Sequence, residues 1–172
     1  GNLWVADFYN QRVEAFAPDG SFQLQLGETG EKGIGAGRFN YPTDVAVLEN
    51  GEIAVADAYN DRIQVFDSQG RFLRKWGGPW AANLAGGGNG WFRTATGVAG
   101  GPESQVFAAD FENHRIQAFT SGGSFLAAVG EKGSAPGQLL RPTDLAVDEN
   151  GVLYVVDFGN DRIQVFAPPP SD

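Results

Sequence analysis

The stretch Val55-Ala56-Asp57-Ala58-Tyr59-Asn60-Asp61-Arg62-Ile63 occurs in this chain in four versions. The others are Val5-Ala6-Asp7-Phe8-Tyr9-Asn10-Gln11-Arg12-Val13, Ala108-Ala109-Asp110-Phe111-Glu112-Asn113-His114-Arg115-Ile116 and Val155-Val156-Asp157-Phe158-Gly159-Asn160-Asp161-Arg162-Ile163. A phenylalanine follows each arginine four places on, at Phe16, Phe66, Phe119 and Phe166. Successive shared aspartates lie 50, 53 and 47 residues apart. Self-similarity at a near-constant period marks a protein built from one supersecondary unit used several times.

Working outward from the shared stretch, each unit reads as four strands. The apolar run ending in Asp is strand b. Strand c alternates in Arg62-Ile63-Gln64-Val65-Phe66, the period of a half-buried strand. A short turn such as Asp19-Gly20 or Gln69-Gly70 leads to strand d, as in Phe22-Gln23-Leu24-Gln25-Leu26. Strand a follows a glycine-rich loop, as Pro42-Thr43-Asp44-Val45-Ala46-Val47 and Pro142-Thr143-Asp144-Leu145-Ala146-Val147. Asn50-Gly51 and Asn150-Gly151 join a to b with a strong two-residue hairpin signal. The middle copy keeps the spacing but has Ala95-Thr96-Gly97 in place of Pro-Thr-Asp. Tandem antiparallel units of four strands bury their faces on one another around an axis, so the fold expected is an all-β propeller. Fourteen strands are predicted in about four blades: two complete ones flanked by a first blade without a and a last blade without d. The repeats run over about 1–50, 51–103, 104–150 and 151–172 of a single domain. The proline-rich tail 167–172 reads as an extended end.

Composition suits this reading. Of 172 residues 42% are hydrophobic, enough for a core, and 25 glycines with 9 prolines favour short strands and tight turns over long helices. The net charge of −9 disfavours phosphate backbones and anionic membranes, which need a basic footprint, so nucleic acid ranks low as a partner. No cysteine is present, which removes disulfides, thiol nucleophiles and zinc–thiolate sites and leaves the compartment open. No apolar run approaches membrane-spanning length and none has the form of a signal peptide. The chain has no methionine, even at position 1, and is expected to be a processed product or a piece of something longer.

The core Asp-x-x-Asn-x-Arg-[Ile/Val]-x-x-Phe, with the Pro-Thr-Asp-[Val/Leu]-Ala-Val strand, resembles the NHL-repeat family over nearly the whole chain. The resemblance implies a propeller, usually of six blades, that serves as a scaffold for protein or ligand binding. A few relatives are enzymes, and some animal members bind RNA through a basic face. Six blades would need ten strands more than this chain supplies, so a piece of a six-bladed ring, a small closed ring and completion by assembly are all compatible with it. An unclosed arc exposes strand edges and apolar faces, which favours pairing with other copies.

Asp7, Asn10 and Arg12, with their counterparts Asp57, Asn60, Arg62, Asp110, Asn113, Arg115, Asp157, Asn160 and Arg162, are read as structural because they recur in every blade, whereas a catalytic centre is built once. Opposite charges facing each other across two strands contribute about 0.2–1 kcal/mol per pair. Asp44 and Asp144 begin the innermost strand, near the mouth of the channel, where carboxylates can hold a hard cation such as calcium or simply cap the loop. His114, the single histidine, takes the loop position of Gln11, Asp61 and Asp161; zinc commonly needs several such ligands, so a surface role is expected. The loop from Gly77 to Arg93 stands apart. It carries Trp80, Asn83, Asn89, Trp91, Phe92 and Arg93 with no carboxylate, and aromatics with arginine are what interface hot spots are made of. The function expected is a non-catalytic binding or scaffold module that contacts protein, other copies of itself included, with glycan as a further possibility. The alternative is a channel enzyme, a metal-assisted hydrolase or lyase, with a calcium-type oxygen site.

Overall fold

The computed structural model describes residues 1–168, so most of the proline-rich tail lies outside the described residues. Fourteen strands follow one another: β1 (Leu3–Asp7), β2 (Arg12–Phe16), β3 (Phe22–Gly27), β4 (Pro42–Val47), β5 (Ile53–Asp57), β6 (Arg62–Phe66) and β7 (Phe72–Trp76), then β8 (Ala95–Gly100), β9 (Val106–Asp110), β10 (Arg115–Phe119), β11 (Phe125–Val129), β12 (Asp144–Val147), β13 (Leu153–Asp157) and β14 (Arg162–Phe166). They form four antiparallel sheets in chain order: β1-β2-β3, β4-β5-β6-β7, β8-β9-β10-β11 and β12-β13-β14. Position a is therefore empty in the first sheet and position d in the fourth, among the described residues. The architecture is a β-propeller arc, with β1, β4, β8 and β12 adjacent along the axis.

Alternation along b and c splits each sheet into two apolar faces. In the second sheet Ile53, Val55 and Phe66 face the first sheet, where Val13, Leu26 and Phe39 meet them. Ala54, Ala56, Ile63 and Val65 face the third sheet and pack on Phe92, Val98, Val106 and Phe119. A third core of Phe107, Ile116, Leu139, Leu145, Leu153 and Val155 joins sheets three and four. Burying a Val, Ile or Phe side chain is worth about 1.5–3 kcal/mol, so these three interfaces carry the fold. The first and fourth sheets do not close on each other. Leu3 on one is 63% exposed, and Ile163 and Val165 on the other are 60% and 59% exposed.

A bulge recurs between strands c and d, at Ala15/Phe16, Val65/Phe66 and Ala118/Phe119. A second irregularity, between Pro42 and Asp44 and between Ala95 and Val98, bends the innermost strand where it enters the sheet. An extra residue unpaired in this way re-aims its neighbours. No helix among the described residues is long and apolar enough to cross a membrane.

Candidate functional site

Each hairpin from b to c is one 3-10 turn, Phe8–Asn10, Ala58–Asn60, Phe111–Asn113 or Phe158–Asn160, closed by a left-handed residue. That residue is Gln11, Asp61, His114 or Asp161, with φ between 50 and 60°. The asparagines precede it and do different work. Asn60 Nδ2 donates to Asp57 and to the carbonyl of Gly33, and Asn113 and Asn160 reach Gly86 and Gly133 in the same way. The Asp/Arg pair stands across b and c in register. In the second sheet Arg62 Nε donates to Asp57 at 2.7 Å with both side chains fully buried. The rest of the Arg62 guanidinium donates to carbonyls of Ile34, Gly35, Arg38 and Ala81. Asp57 also accepts the Asn40 N–H at 2.7 Å, as Asp110 accepts that of Arg93 and Asp157 that of Leu140. The constellation thus pins the d-to-a loop onto the b–c hairpin. In the first sheet Arg12 donates to Asp7, Gln25 and Thr29 instead.

The left-handed residue joins neighbouring sheets. Gln11 Oε1 accepts the Tyr41 N–H at 2.7 Å, Asp61 Oδ1 that of Thr94 at 2.6 Å, and His114 Nδ1 that of Arg141 at 3.0 Å. Burial, with the charges of Lys132 and Arg141, holds the His114 pKa below the usual histidine value against the pull of Glu112. Burial pushes the Asp61 carboxyl up.

At the channel mouth Thr43, Asp44, Thr96, Thr143 and Asp144 line one shallow depression. Burial pushes Asp44 up to about 6, with Asp144 adding to the rise and the N–H groups of Val98 and Val45 opposing it. Those two N–H groups occupy the two Asp44 oxygens at 2.8 and 2.7 Å, so its carboxylate links strand β4 to β8. Gly97 stands where a third carboxylate would complete the series. A Cβ there would lie 2.9 Å from the Asp144 Cα, so the approach of β8 to β12 demands glycine. Among the described residues no three His, Cys, Asp or Glu side chains converge as metal ligands.

The Gly77–Arg93 loop divides. Trp80, 85% exposed, and Asn83, Asn89 and Arg93 lie at the surface. Trp91 is half-buried against Gly78, Gly86 and Gly88 of its own loop. Phe92 is not a contact residue: it is fully buried in the core, 5.6 Å from the Phe119 ring. It serves as the first apolar anchor before strand a, as Phe39 and Leu139 do in the flanking loops.

A second aromatic group on the loop face was not singled out from the sequence. Phe8 stacks on Tyr41 at 4.7 Å, Tyr41 meets Tyr59 edge-on at 5.0 Å, and Tyr9 stands against Phe8 at 5.0 Å. Lys32 Nζ lies 3.9 Å over the Tyr41 ring. Tyr9 is 82% exposed, and Tyr59 is also at the surface. These rings come from two hairpins and one loop, so only the docking of neighbouring sheets brings them together. The signal available was aromatic residues in the first two hairpin positions after Asp. The arrangement offers ring faces and hydroxyls to a partner.

Comparison with known proteins agrees with this geometry. The NHL repeat family matches at residues 39–66 and 139–166, two loops each running into strands a, b and c. The protein brain tumor of Drosophila melanogaster is 39% identical over 67 residues, covering 39% of this chain and 6% of that protein. Protein lin-41 of Caenorhabditis elegans is 67% identical over 33 residues, covering 19% of this chain and 3% of that protein. Virginiamycin B lyase of Staphylococcus aureus superposes on 99% of this chain with a TM-score of 0.66 and 15% identity, a likeness of fold alone. This chain spans 53% of the length of that lyase. With NHL repeats matched in two of its four sheets and the Asp, Asn and Arg constellation built in all of them, the chain carries NHL repeats on a β-propeller fold.

Proposed function

We propose that the chain is a non-catalytic binding module that contacts protein, other copies of itself included, through its loop face and the open faces of its end sheets. The observation that carries the reading is a contrast within the repeat. Ile63 and Val65 are fully buried between sheets, whereas Ile163 and Val165, at the same places in the fourth sheet, stand in solvent. Leu3 and Val5 on the first sheet are exposed in the same way, while Ile53 and Val55 are buried. Contiguous apolar surface of this kind marks an interaction site in a soluble protein. The two open faces are also complementary, because the same pair of faces meets three times inside the chain. On the loop face, Tyr9, Tyr59 and Trp80 add exposed rings of the type that dominate interfaces.

Light scattering over a concentration series tests this. The expected result is a discrete oligomer or a mass that grows with concentration, and that falls to the monomer in Ile163→Glu. A chain that stays monomeric at every concentration and takes no protein from a panel of candidate partners on either surface would overturn the reading.

A further inference from the structure

The junction between the first two sheets and that between the last two are built from equivalent residues, and one is filled where the other is open. On the loop face between the first and second sheets, the Tyr59 ring stands 5.0 Å from Tyr41 and 6.4 Å from Phe8. Lys32 Nζ is engaged there too, donating to the Tyr41 hydroxyl at 2.7 Å. Between the third and fourth sheets Arg141 and Gly159 take the places of Tyr41 and Tyr59, and Lys132 takes that of Lys32. The two lysines make the same backbone bridge, to Phe39 and to Leu139. Without the two tyrosine rings an open depression of about 390 Å³ remains, lined by Glu112, His114, Lys132, Leu140, Arg141 and Gly159. Small-molecule sites commonly span about 300–1,000 Å³. A Cβ at Gly159 would lie 2.6 Å from Leu140 Cγ and 2.7 Å from its carbonyl oxygen, so no side chain fills the depression from that place.

The polar groups left around it are mostly donors. His114 Nδ1 accepts the Arg141 N–H at 3.0 Å, which assigns the hydrogen of the neutral ring to Nε2. Among the described residues neither that Nε2–H nor Lys132 Nζ donates to a protein acceptor, whereas Lys32 does. The Arg141 guanidinium rests 5.7 Å over the Phe111 ring, with the Glu112 carboxylate 3.7 Å away. With the imidazole neutral, two cations face one carboxylate across the depression, a local positive excess in a chain of net charge −9. Burial, then Lys132 and Arg141, hold the His114 pKa down against Glu112, as a cationic spot requires. A single carboxylate balances that excess, and a guanidinium fork matches its two oxygens.

We propose that this depression binds the carboxylate of a small organic acid, held by Arg141, Lys132 and the His114 Nε2–H, with the apolar body of the acid against Leu140. The site lies on the loop face between two packed sheets and is independent of the open end faces. His114 is the single histidine of the chain, so its imidazole gives one proton signal that reports on the site.

The experiment follows that signal by NMR while the whole chain is titrated with sodium benzoate, against sodium chloride at equal ionic strength and against benzamide as the uncharged analogue. Saturable movement is expected with benzoate and none with benzamide. The histidine midpoint should rise in saturating benzoate, because the added negative charge favours the imidazolium. Lys132→Gln and Arg141→Gln should each weaken binding by roughly fivefold, the upper end for an exposed ion pair. Glu112→Gln should tighten it, since Arg141 loses its competing carboxylate. Lys132 is exposed, so its variant decides if Arg141→Gln does not fold. Inorganic phosphate binding more tightly than benzoate overturns the carboxylate assignment. Equal movement with benzamide, no saturation at millimolar benzoate, or affinity unchanged in Lys132→Gln overturns the site.

Discussion

Arg62 and Arg12 make the same bond to the same partner type, at 2.7 and 2.8 Å, yet they stand in different media. Around Asp57 and Asp110 burial outweighs every hydrogen bond and ion pair, and both carboxyls are pushed above the usual value. Asp157 is also pressed upward by burial, but the N–H of Leu140 with Asn160, Arg162 and Gln164 outweighs it and the value falls. Asp7 is lowered chiefly by Asn10. Truncating one partner of a buried pair costs about 3–5 kcal/mol, because the charge left behind is uncompensated, while an exposed pair is worth about 0–1 kcal/mol. Arg62→Ala is therefore expected to lower unfolding stability by several kcal/mol and Arg12→Ala by less than about 1 kcal/mol, read from urea unfolding of the two variants. Asp44 gives a pH test at the same scale. Its folded value of about 6 lies above the ordinary aspartate value of 3.8, so its stabilising contribution is complete below the lower figure and is lost as pH rises through the upper one. The span corresponds to about 2–3 kcal/mol. Asp44→Asn should remove that share of the fall in stability between pH 4 and 6, although it also loses one backbone hydrogen bond; equal slopes in the two proteins would refute the assignment. The Asp–Arg pairing was legible from spacing alone. The use of the asparagines was not, since Gly33, Gly86 and Gly133 lie 27 residues upstream and only a docked loop puts them within reach.

Elements meet through the residue that closes each b–c hairpin, and its side chain varies while its task is constant. Gln11, Asp61 and His114 all accept an N–H from the loop of the next sheet. Histidine alone among them can lose its acceptor near neutral pH, because a protonated Nδ1 becomes a donor. The groups facing it are Glu112, Lys132 and Arg141, and the fold holds its pKa below 6.5. A lowered histidine value means that the stability it contributes is fully present above the unfolded value and is lost as pH falls through the folded one. The contact between the third and fourth sheets should loosen in that direction. The protection of the Arg141 amide against hydrogen exchange, taken relative to its intrinsic rate at each pH, is expected to fall on acidification in the native chain and to stay level in His114→Gln, whose amide oxygen repeats the bond made by Gln11. Strand order, hairpins and the missing a and d were all legible, because two-residue turns and alternation are local signals. The fate of Phe92 was not: a loop full of aromatics looks alike whether its rings point out or in, and the decision belongs to the Phe119 ring across the sheet. The cluster of Phe8, Tyr9, Tyr41 and Tyr59 was hidden for the same reason.

At the scale of the molecule, three interfaces of one design leave two half-interfaces over, and the energetic meaning of a side chain depends on which it belongs to. Ile63 and Ile163 occupy one position of the repeat, the first fully buried and the second 60% exposed. Emptying a buried isoleucine to alanine costs about 2–5 kcal/mol, from lost transfer energy and the cavity left behind. An exposed one lies within about 0.5 kcal/mol of neutral. In dilute solution Ile63→Ala should therefore lower the unfolding midpoint sharply, and Ile163→Ala should leave it near that of the native chain. The difference should shrink as the protein is concentrated. If the open face of the fourth sheet packs on the open face of the first in another copy, association stabilises the folded chain by mass action. Ile163→Ala then forfeits that gain while Ile63→Ala does not. Unfolding midpoints of the native chain and both variants, measured across a hundredfold concentration range, separate the cases. A native midpoint that rises with concentration, with that of Ile163→Ala flat, means the exposed isoleucine is an interface residue at rest; parallel lines for all three would place the surface outside any contact between copies.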